Sequence, residues 1–328
     1  DKIVRFSDRD RHQLFLEPEW KNSNQIYVNG FSTSMPKEIQ LVALQTIPGL
    51  QACKMIRPGY AIEYDYFPTY QLKLNLENKN LPGLFFAGQV NGTSGYEEAA
   101  AQGLIAGINA SLYVKDLASF HVSRSQGYIG VLIDDLITKT IDEPYRMFTS
   151  SAEFRLSLRP DNAPLRLAEP GFTIGLLNKK QHNKYLLFKS GIEKIKKILG
   201  STSLSLNKKE KKEVASTLLR RPSVSINDFF KTIPQLASFK TEELFTAETD
   251  IKYDGYVSRE TERVNSFAKA ENTIIPPGLR YPDIKGLSSE SREKLAMVRP
   301  ETLGQANRVS GVRRSDVFLL GMYLKRTP

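Results

Sequence analysis

The sequence predicts an α/β segment followed by an all-α region, and three observations predict it. Leu84-Phe85-Phe86-Ala87 is a short apolar run bounded by Pro82-Gly83 and Gly88, which suits a strand buried on both faces, as in a parallel sheet. The glycine turn Gly88–Gly95 follows it, and then a stretch from Tyr96 to Ala110 that reads as a helix with small residues at 99, 103, 106, 107 and 110 on one face. From about residue 119 the apolar residues recur at helical spacing. With 328 residues the chain can hold two or three domains, so the size of the core sets no limit.

The elements can be taken in order. Residues 1–118 carry short β-branched and aromatic runs between Gly, Pro and Asn, notably 25–28 and 60–66. In a strand over 60–66, Tyr60, Ile62 and Tyr64 share one face, with Glu63 and Asp65 on the other. Pro36–Leu44 predicts a short helix, with Ile39, Val42 and Ala43 sharing a face. Beyond residue 119 helices are predicted at 124–140, 181–199, 208–220, 256–271, 288–297 and 315–325. Pro144, Pro160, Pro222, Pro276-Pro277 and Pro300 punctuate them. Thr302-x-x-Gln305 is a capping-box pattern, and its helix should stop near Ser310-Gly311 before another begins at Ser315-Asp316. Two helices across a glycine turn read as a packed αα-hairpin or as a helix-turn-helix, and the hairpin is the commoner arrangement.

Composition excludes several classes. The single Cys53 rules out an internal disulfide framework, and with three histidines it makes a zinc site improbable, so no metal is expected. Beside Lys54 it reads as a small buried hydrophobe rather than a nucleophile. No apolar run approaches the roughly 18–20 residues of a membrane span, and a cytoplasmic protein is expected. The opening DKIVRFSDRDRH lacks Met and any signal-peptide pattern, and reads as a cut inside a longer protein.

Charge is concentrated. Between Lys179 and Arg221 thirteen Lys or Arg face only Glu193, Glu210 and Glu213, a net of +10 that equals the formal charge of the whole chain. Within that stretch Tyr185, Phe188, Ile192, Ile195 and Leu199 form one apolar face, leaving lysine outside. Lys179, Lys180, Lys208, Lys209, Lys211 and Lys212 are the candidate polyanion contacts. A solvated lysine face explains the same residues, and charge alone leaves RNA, DNA and acidic membranes open.

Two further groups could carry chemistry. Gly88, Gly92 and Gly95 permit positive φ and close backbone approach, and the following helix N-terminus suits a pyrophosphate. Gln89, Asn91 and Thr93 add neutral donors there; a βα turn built for packing is the competing reading. Arg146, Arg155, Arg159 and Arg166 lie among Glu143, Glu153 and Asp161, a density that means an ion-pair network at a domain seam, a phosphate site, or both.

Four stretches carry a resemblance beyond these arguments. RPGYAIEYDYF (57–67), LFFAGQVNGTSGYEEAAAQGLIAGINA (84–110), EPYRMFTSSAEFRLSLRPDNAPLRL (143–167) and GLSSESREKLAMVRPETLGQANRVSGV (286–312) resemble the tRNA uridine carboxymethylaminomethyl modification enzymes, the MnmG or GidA family. The resemblance runs over nearly the whole chain. It implies the carboxyl portion of a Rossmann-type FAD-binding domain (1–118), a basic helical domain (119–245) and a carboxyl-terminal helical domain for tRNA and partner (246–328). It also implies FAD, NADH and methylene-tetrahydrofolate, a homodimer, and joint action with the GTPase MnmE on the wobble uridine of tRNA. The family's flavin loop matches Gly88, Gln89, Asn91, Gly92, Thr93, Gly95 and Tyr96. Asp1, Lys2, Ile3, Val4, Arg5 and Phe6 match the edge of a nucleotide-binding stretch.

The departures are equally specific. The sequence holds no GxGxxG and neither of the family's catalytic cysteines, so no catalytic residue is expected here; one such cysteine sits in a motif that would lie just before Asp1. Ser151 stands where the family usually has a basic residue. The rival readings are another flavoprotein reductase with a helical oligomerisation device, and a non-enzymatic tRNA-binding fragment.

Overall fold

The computed structural model describes residues 6–139, 143–205, 211–271 and 273–326. The chain divides into two units, 1–65 and 66–328.

In the first unit β1 (Phe15–Pro18) and β2 (Ile26–Asn29) pair antiparallel, Phe15 opposite Asn29. Asn22 at φ 62° helps the hairpin reverse, and Ser23 Oγ accepts from the Gln25 N–H. Helix α1 (Lys37–Gln45) forms where predicted, but its inward residue is Gln40. Ile39 and Val42, on the apolar face, are exposed. The Gln40 amide explains the exchange: it accepts from Gly59 N–H at 2.7 Å and donates to Gly59 O at 2.8 Å, holding a loop that no apolar side chain could hold. The predicted strand over 60–66 is also absent. Described residues give its backbone no ladder partner, so Tyr60, Ile62 and Tyr64 stay exposed.

The second unit opens on a loop whose Leu72 and Leu76 pack beneath α2 (Tyr96–Val114) and α3 (Tyr128–Thr138), against Ile105, Ile133 and Ile137. Leu84–Ala87 is not a buried parallel strand. Glycines at positive φ on both sides, Gly83 and Gly88, fold it back onto 76–78. There Asn78 N–H donates to Leu84 O and Phe86 N–H to Leu76 O, one antiparallel bridge on one edge. Helix α2 forms where predicted. It buries Glu98, Gln102, Ile105, Ala106, Asn109 and Leu112, while Gly103 and Gly107 face open space. Its inward amides replace missing backbone partners: Asn109 accepts from Phe120 N–H at 2.7 Å and donates to Phe120 O at 2.8 Å.

Helix α3 starts four residues later than predicted, because 124–127 form the turn that precedes it. From Gly130 to Thr138 every residue is buried. Gly130 is obligatory there, since a Cβ would lie 2.3 Å from the carbonyl oxygens of Val122 and Ser123. Helix α4 (Ala163–Thr173) has no counterpart among the predicted helices; Pro164 sits in its opening turn and Pro170 inside it.

Helix α5 (Lys179–Ser201) is closed at its start by the Asn178–Gln181 capping box. Tyr185, Ile192, Ile195 and Leu199 are buried as predicted, with Phe188 partly so. Strands β3 (Ser203–Leu204) and β4 (Glu213–Val214) form a two-stranded pair that leads into α6 (Ala215–Leu219). The helix predicted over 208–220 is thus a strand and a short helix in its described part. Helix α7 (Thr241–Glu271) begins fifteen residues before the predicted start. It crosses α5 closely at Gly191, where a Cβ would meet the Glu243 carboxyl group at 2.6 Å.

The last segment gathers α8 (Ser289–Val298), α9 (Leu303–Arg308) and α10 (Arg314–Arg326) around Leu295, Ala306 and Leu320. Thr302 caps α9 through the Gln305 N–H, and the Gln305 side chain reaches back to Glu301 N–H rather than to Thr302 itself. Gly311 at φ 85° turns the chain into α10, as the glycine pattern predicts.

Candidate cofactor loop and basic surface

The glycine loop is a 3-10 turn over Gly88–Asn91 that ends with Gly92 in the left-handed region, φ 69°. Gln102, from the second turn of α2, organises it. Its Oε1 accepts from Gly88 N–H and from Asn91 Nδ2, both at 2.9 Å. Tyr145 N–H donates to Gly92 O at 2.8 Å, and Met147 N–H donates to Glu98 Oε1 at 3.1 Å, so residues 145–147 roof the loop.

This architecture divides the seven candidate residues. Gly88, Asn91, Thr93 and Gly95 are buried and give the loop its shape. Gln89 is exposed, Gly92 half-buried, and Tyr96 90 % exposed at the start of α2. Gly95 stands at the N-cap of α2 and leaves room for the Glu98 carboxyl group, whose Oε2 would lie 1.9 Å from a Cβ at that position. The groups this loop offers to a cofactor are the exposed polar side chains of Gln89 and Tyr96, since a carboxyl group already lies over the helix N-terminus. Of the two acids in the first turn, Glu98 is held by Met147 N–H and lies 3.9 Å from Arg146. Asn91 Oδ1 and Gln102 Nε2 are buried without a hydrogen-bond partner directly beneath. Phe6 is exposed in a turn, whereas Asp1, Lys2, Ile3, Val4 and Arg5 lie outside the described residues.

Of the ion pairs expected within the arginine-rich stretch, Arg159–Asp161 forms, whereas Glu153 pairs with Arg124 and Arg146 with Glu98 outside it. Arg159 joins Asp161 and, on α7, Asp250, to which Lys196 also donates at 2.6 Å. Arg166 donates to Asn162, Arg159 O and Gln126 O. Arg155 is exposed, and at Ser151 the carbonyl is the group used, accepting from Arg124. The hub is Asp134-Asp135, buried in α3. Arg124 donates to Asp134 at 3.0 Å, to Asp135 at 2.7 Å and to Glu153 at 2.8 Å; Arg308 grips Asp134 at 2.5 and 2.9 Å. Burial opposes the Arg124 charge, but Glu153, Asp134 and Asp135 outweigh it and raise its pKa. Burial first, then the Asp135 charge, raises the Tyr145 phenol, whose hydroxyl donates to Asp135 at 3.1 Å.

A second tie runs from Lys79, whose ammonium donates to Tyr70 O at 2.9 Å and to Val298 O at 2.7 Å, at the end of α8. Burial pushes Lys79 down to about 8 against the opposing charge of Glu301. Arg124, Asp134, Asp135, Arg308, Lys79 and Gln102 were not singled out from the sequence. The available signal was the adjacent Asp134-Asp135 inside an apolar helix, since such a pair is buried only with cations.

The lysine face of α5 is as expected: Lys179, Lys180, Lys184 and Lys189 are exposed, and Lys211 and Lys212 are exposed outside helix. Lys208 and Lys209 lie outside the described residues. Cys53 is half-buried rather than buried. Among the described residues no group of three His, Cys, Asp or Glu is placed to hold a metal ion, and no helix is long and apolar enough to cross a membrane.

A carboxyl portion of a Rossmann-type domain, ending in a glycine loop and helix and followed by helical domains, defines the class to which this chain belongs. Residues 1–118 match a family described as glucose inhibited division protein A. Residues 179–261 and 263–328 match the MnmG/GidA C-terminal helical domain and helical bundle. Relatives named tRNA uridine 5-carboxymethylaminomethyl modification enzyme MnmG include the Desulfitobacterium hafniense protein, 48% identical over 99% of this chain and 53% of its own length. The Chlorobium phaeovibrioides protein of that name is also 48% identical, over 99% of this chain and 55% of its own length. Aquifex aeolicus GidA superposes with a TM-score of 0.83 at 42% identity, covering 99% of this chain and 54% of that one. The chain belongs to the MnmG/GidA family, and it spans about half the length of the relatives it matches.

Proposed function

We propose that this chain is the carboxyl-terminal portion of an FAD-dependent tRNA-modifying enzyme that works on C5 of the wobble uridine. The observation that carries the cofactor side is the glycine loop before α2, with Gln89 and Tyr96 exposed on it. In this reading Gln89, Gly92 and Tyr96 contact the FAD, while Gly88, Asn91, Thr93 and Gly95 hold the loop in shape. The flavin, when bound, supplies electron transfer, and this chain's residues bind and orient it. NADH as reductant, methylene-tetrahydrofolate as carbon donor, a homodimer, the GTPase MnmE as partner and a cytoplasmic location follow from the family and belong to the same proposal.

The organisation we propose is 1–118 for the cofactor domain, 119–245 for a basic helical domain and 246–328 for a terminal helical domain. Its second boundary falls within the first turns of α7. Lys179, Lys180, Lys211 and Lys212 supply phosphate contacts, with Lys208 and Lys209 in the same run. The test is tRNA binding by this chain across a salt series. Salt-sensitive binding that Lys211→Gln with Lys212→Gln weakens, with a flatter slope, supports the reading. An unchanged slope removes those lysines from the RNA path. For the loop, Gln89→Ala should lower flavin retained per protein after desalting, with no change in melting temperature.

A further inference from the structure

Arg146 differs from the other arginines near the glycine loop. Arg124 is engaged by Asp134, Asp135 and Glu153, Arg159 by Asp161 and Asp250, and Arg166 by Asn162 and two backbone carbonyls. The Arg146 guanidinium has no hydrogen-bond acceptor among the described residues. Its nearest carboxyl oxygen is Glu98 Oε2 at 3.9 Å, beyond hydrogen-bond distance, and its side chain is 58 % exposed.

Its backbone is nonetheless held on both sides. Tyr145 N–H donates to Gly92 O at 2.8 Å, and the Tyr145 hydroxyl donates to the buried Asp135 at 3.1 Å. Met147 N–H donates to Glu98 Oε1 at 3.1 Å, so that carboxyl group cannot turn toward Arg146 without giving up this bond. The head of the Arg146 side chain reaches the loop itself, since a Cβ on Gly95 would meet its Nη1 at 2.6 Å. Glycine at 95 therefore keeps open the space in which Glu98 and Arg146 lie side by side over the start of α2.

A loose, exposed ion pair of this kind adds little to the fold. What it changes is the charge of the face that carries Gln89 and Tyr96. Glu98 alone would repel an anion from that face. Arg146 offsets the carboxylate and still has its N–H fork free of any acceptor. A planar guanidinium in that state suits two adjacent acceptor atoms of a negatively charged group.

We infer that Arg146 is a further cofactor contact, offering its guanidinium to a negatively charged part of the flavin cofactor. The inference rests on the FAD reading above and adds a charged group to Gln89, Gly92 and Tyr96. Two parts of the cofactor carry negative charge: the pyrophosphate in either redox state, and the ring system once it is reduced.

The test uses the FAD-loaded enzyme that contains this chain. FAD affinity is measured by flavin fluorescence, and the reduction potential by anaerobic equilibration with a reference dye. Arg146→Gln should weaken binding of reduced FAD about tenfold or more, the effect of losing a hydrogen bond to a charged group. Equal weakening of oxidised FAD, with the potential unchanged, assigns the contact to the pyrophosphate. Weakening of the reduced form alone assigns it to the ring and lowers the potential by about 30 mV per tenfold for a two-electron couple. Arg146→Lys, which keeps the charge, should recover part of whichever quantity moved. Arg155→Gln removes an exposed arginine from the same stretch and should move neither. If Arg146→Gln binds both forms of FAD as tightly as wild type, the contact is wrong while the FAD reading stands. An equal effect of Arg155→Gln also overturns it. If wild type retains no FAD, the cofactor reading fails and takes this contact with it. Without FAD, Arg146→Gln should melt like wild type; a fall of several degrees would mark a structural role and overturn the inference.

Discussion

Arg308→Met is the most informative single perturbation of this fold. It removes two charge-assisted hydrogen bonds, at 2.5 and 2.9 Å, from a carboxylate that is only 3 % exposed. Severing a buried ion pair typically costs about 3–5 kcal/mol, because the remaining charge stays desolvated. Asp134 keeps Arg124 at 3.0 Å, which places the expected loss at the lower end, about 3 kcal/mol. At about 2–4 °C per kcal/mol this is a fall of roughly 6–12 °C in melting temperature. The assay is thermal and urea unfolding followed by circular dichroism, run as a double-mutant cycle with Asp134→Asn. Residues in direct contact should couple by more than about 1 kcal/mol. A single-variant cost below about 1 kcal/mol, or simple additivity, would refute the claim that this contact fastens the terminal bundle.

Three other outcomes follow from the geometry. Gln102→Leu leaves the buried Gly88 N–H and Asn91 amide without their shared acceptor, so stability should fall by about 2–5 kcal/mol; a loss below about 1 kcal/mol in urea would contradict that role. Lys79 has a pKa near 8 when folded and near 10.5 when unfolded, so between those values the unfolded chain binds more protons. Its contribution should therefore make stability rise with pH from about 8 to 10.5, and the difference between wild type and Lys79→Met should show that slope, a falling difference being incompatible with it. Gly130→Ala puts a methyl group 2.3 Å from two backbone carbonyls, and soluble yield and melting temperature should both drop sharply.

What the sequence revealed depended on whether the deciding interaction was local. Helix α5 was legible because its apolar face repeats at 3 and 4 residues and its lysines stay outside. The capped start of α9 and the glycine stop after it are likewise contained in a few neighbouring residues. The buried strand at Leu84–Ala87 failed because an apolar run shows that a segment can be buried, not which segment lies beside it. On α2 the spacing showed that the small residues share a face, but not that Gln102 and Asn109 turn inward, because distant backbone groups decide that. The same limit applied at the loop. Asn91 and Thr93 read as donors to a ligand, and only the roof supplied by residues 145–147 shows that they are sealed.

The contact between Asp134 and Arg308 spans 174 positions, and that between Lys79 and Val298 spans 219. A ribosome adding about 5–20 residues per second needs on the order of 10–30 s to travel from the carboxylate to its arginine. For that interval the nascent chain carries a half-built core whose aspartates have Arg124 but not Arg308, and whose Lys79 lacks the end of α8. Closing such long loops is slow, so the terminal bundle arrives as the last piece and locks what has already collapsed. Truncation before Arg308 should therefore trap a soluble but protease-sensitive species rather than a random coil.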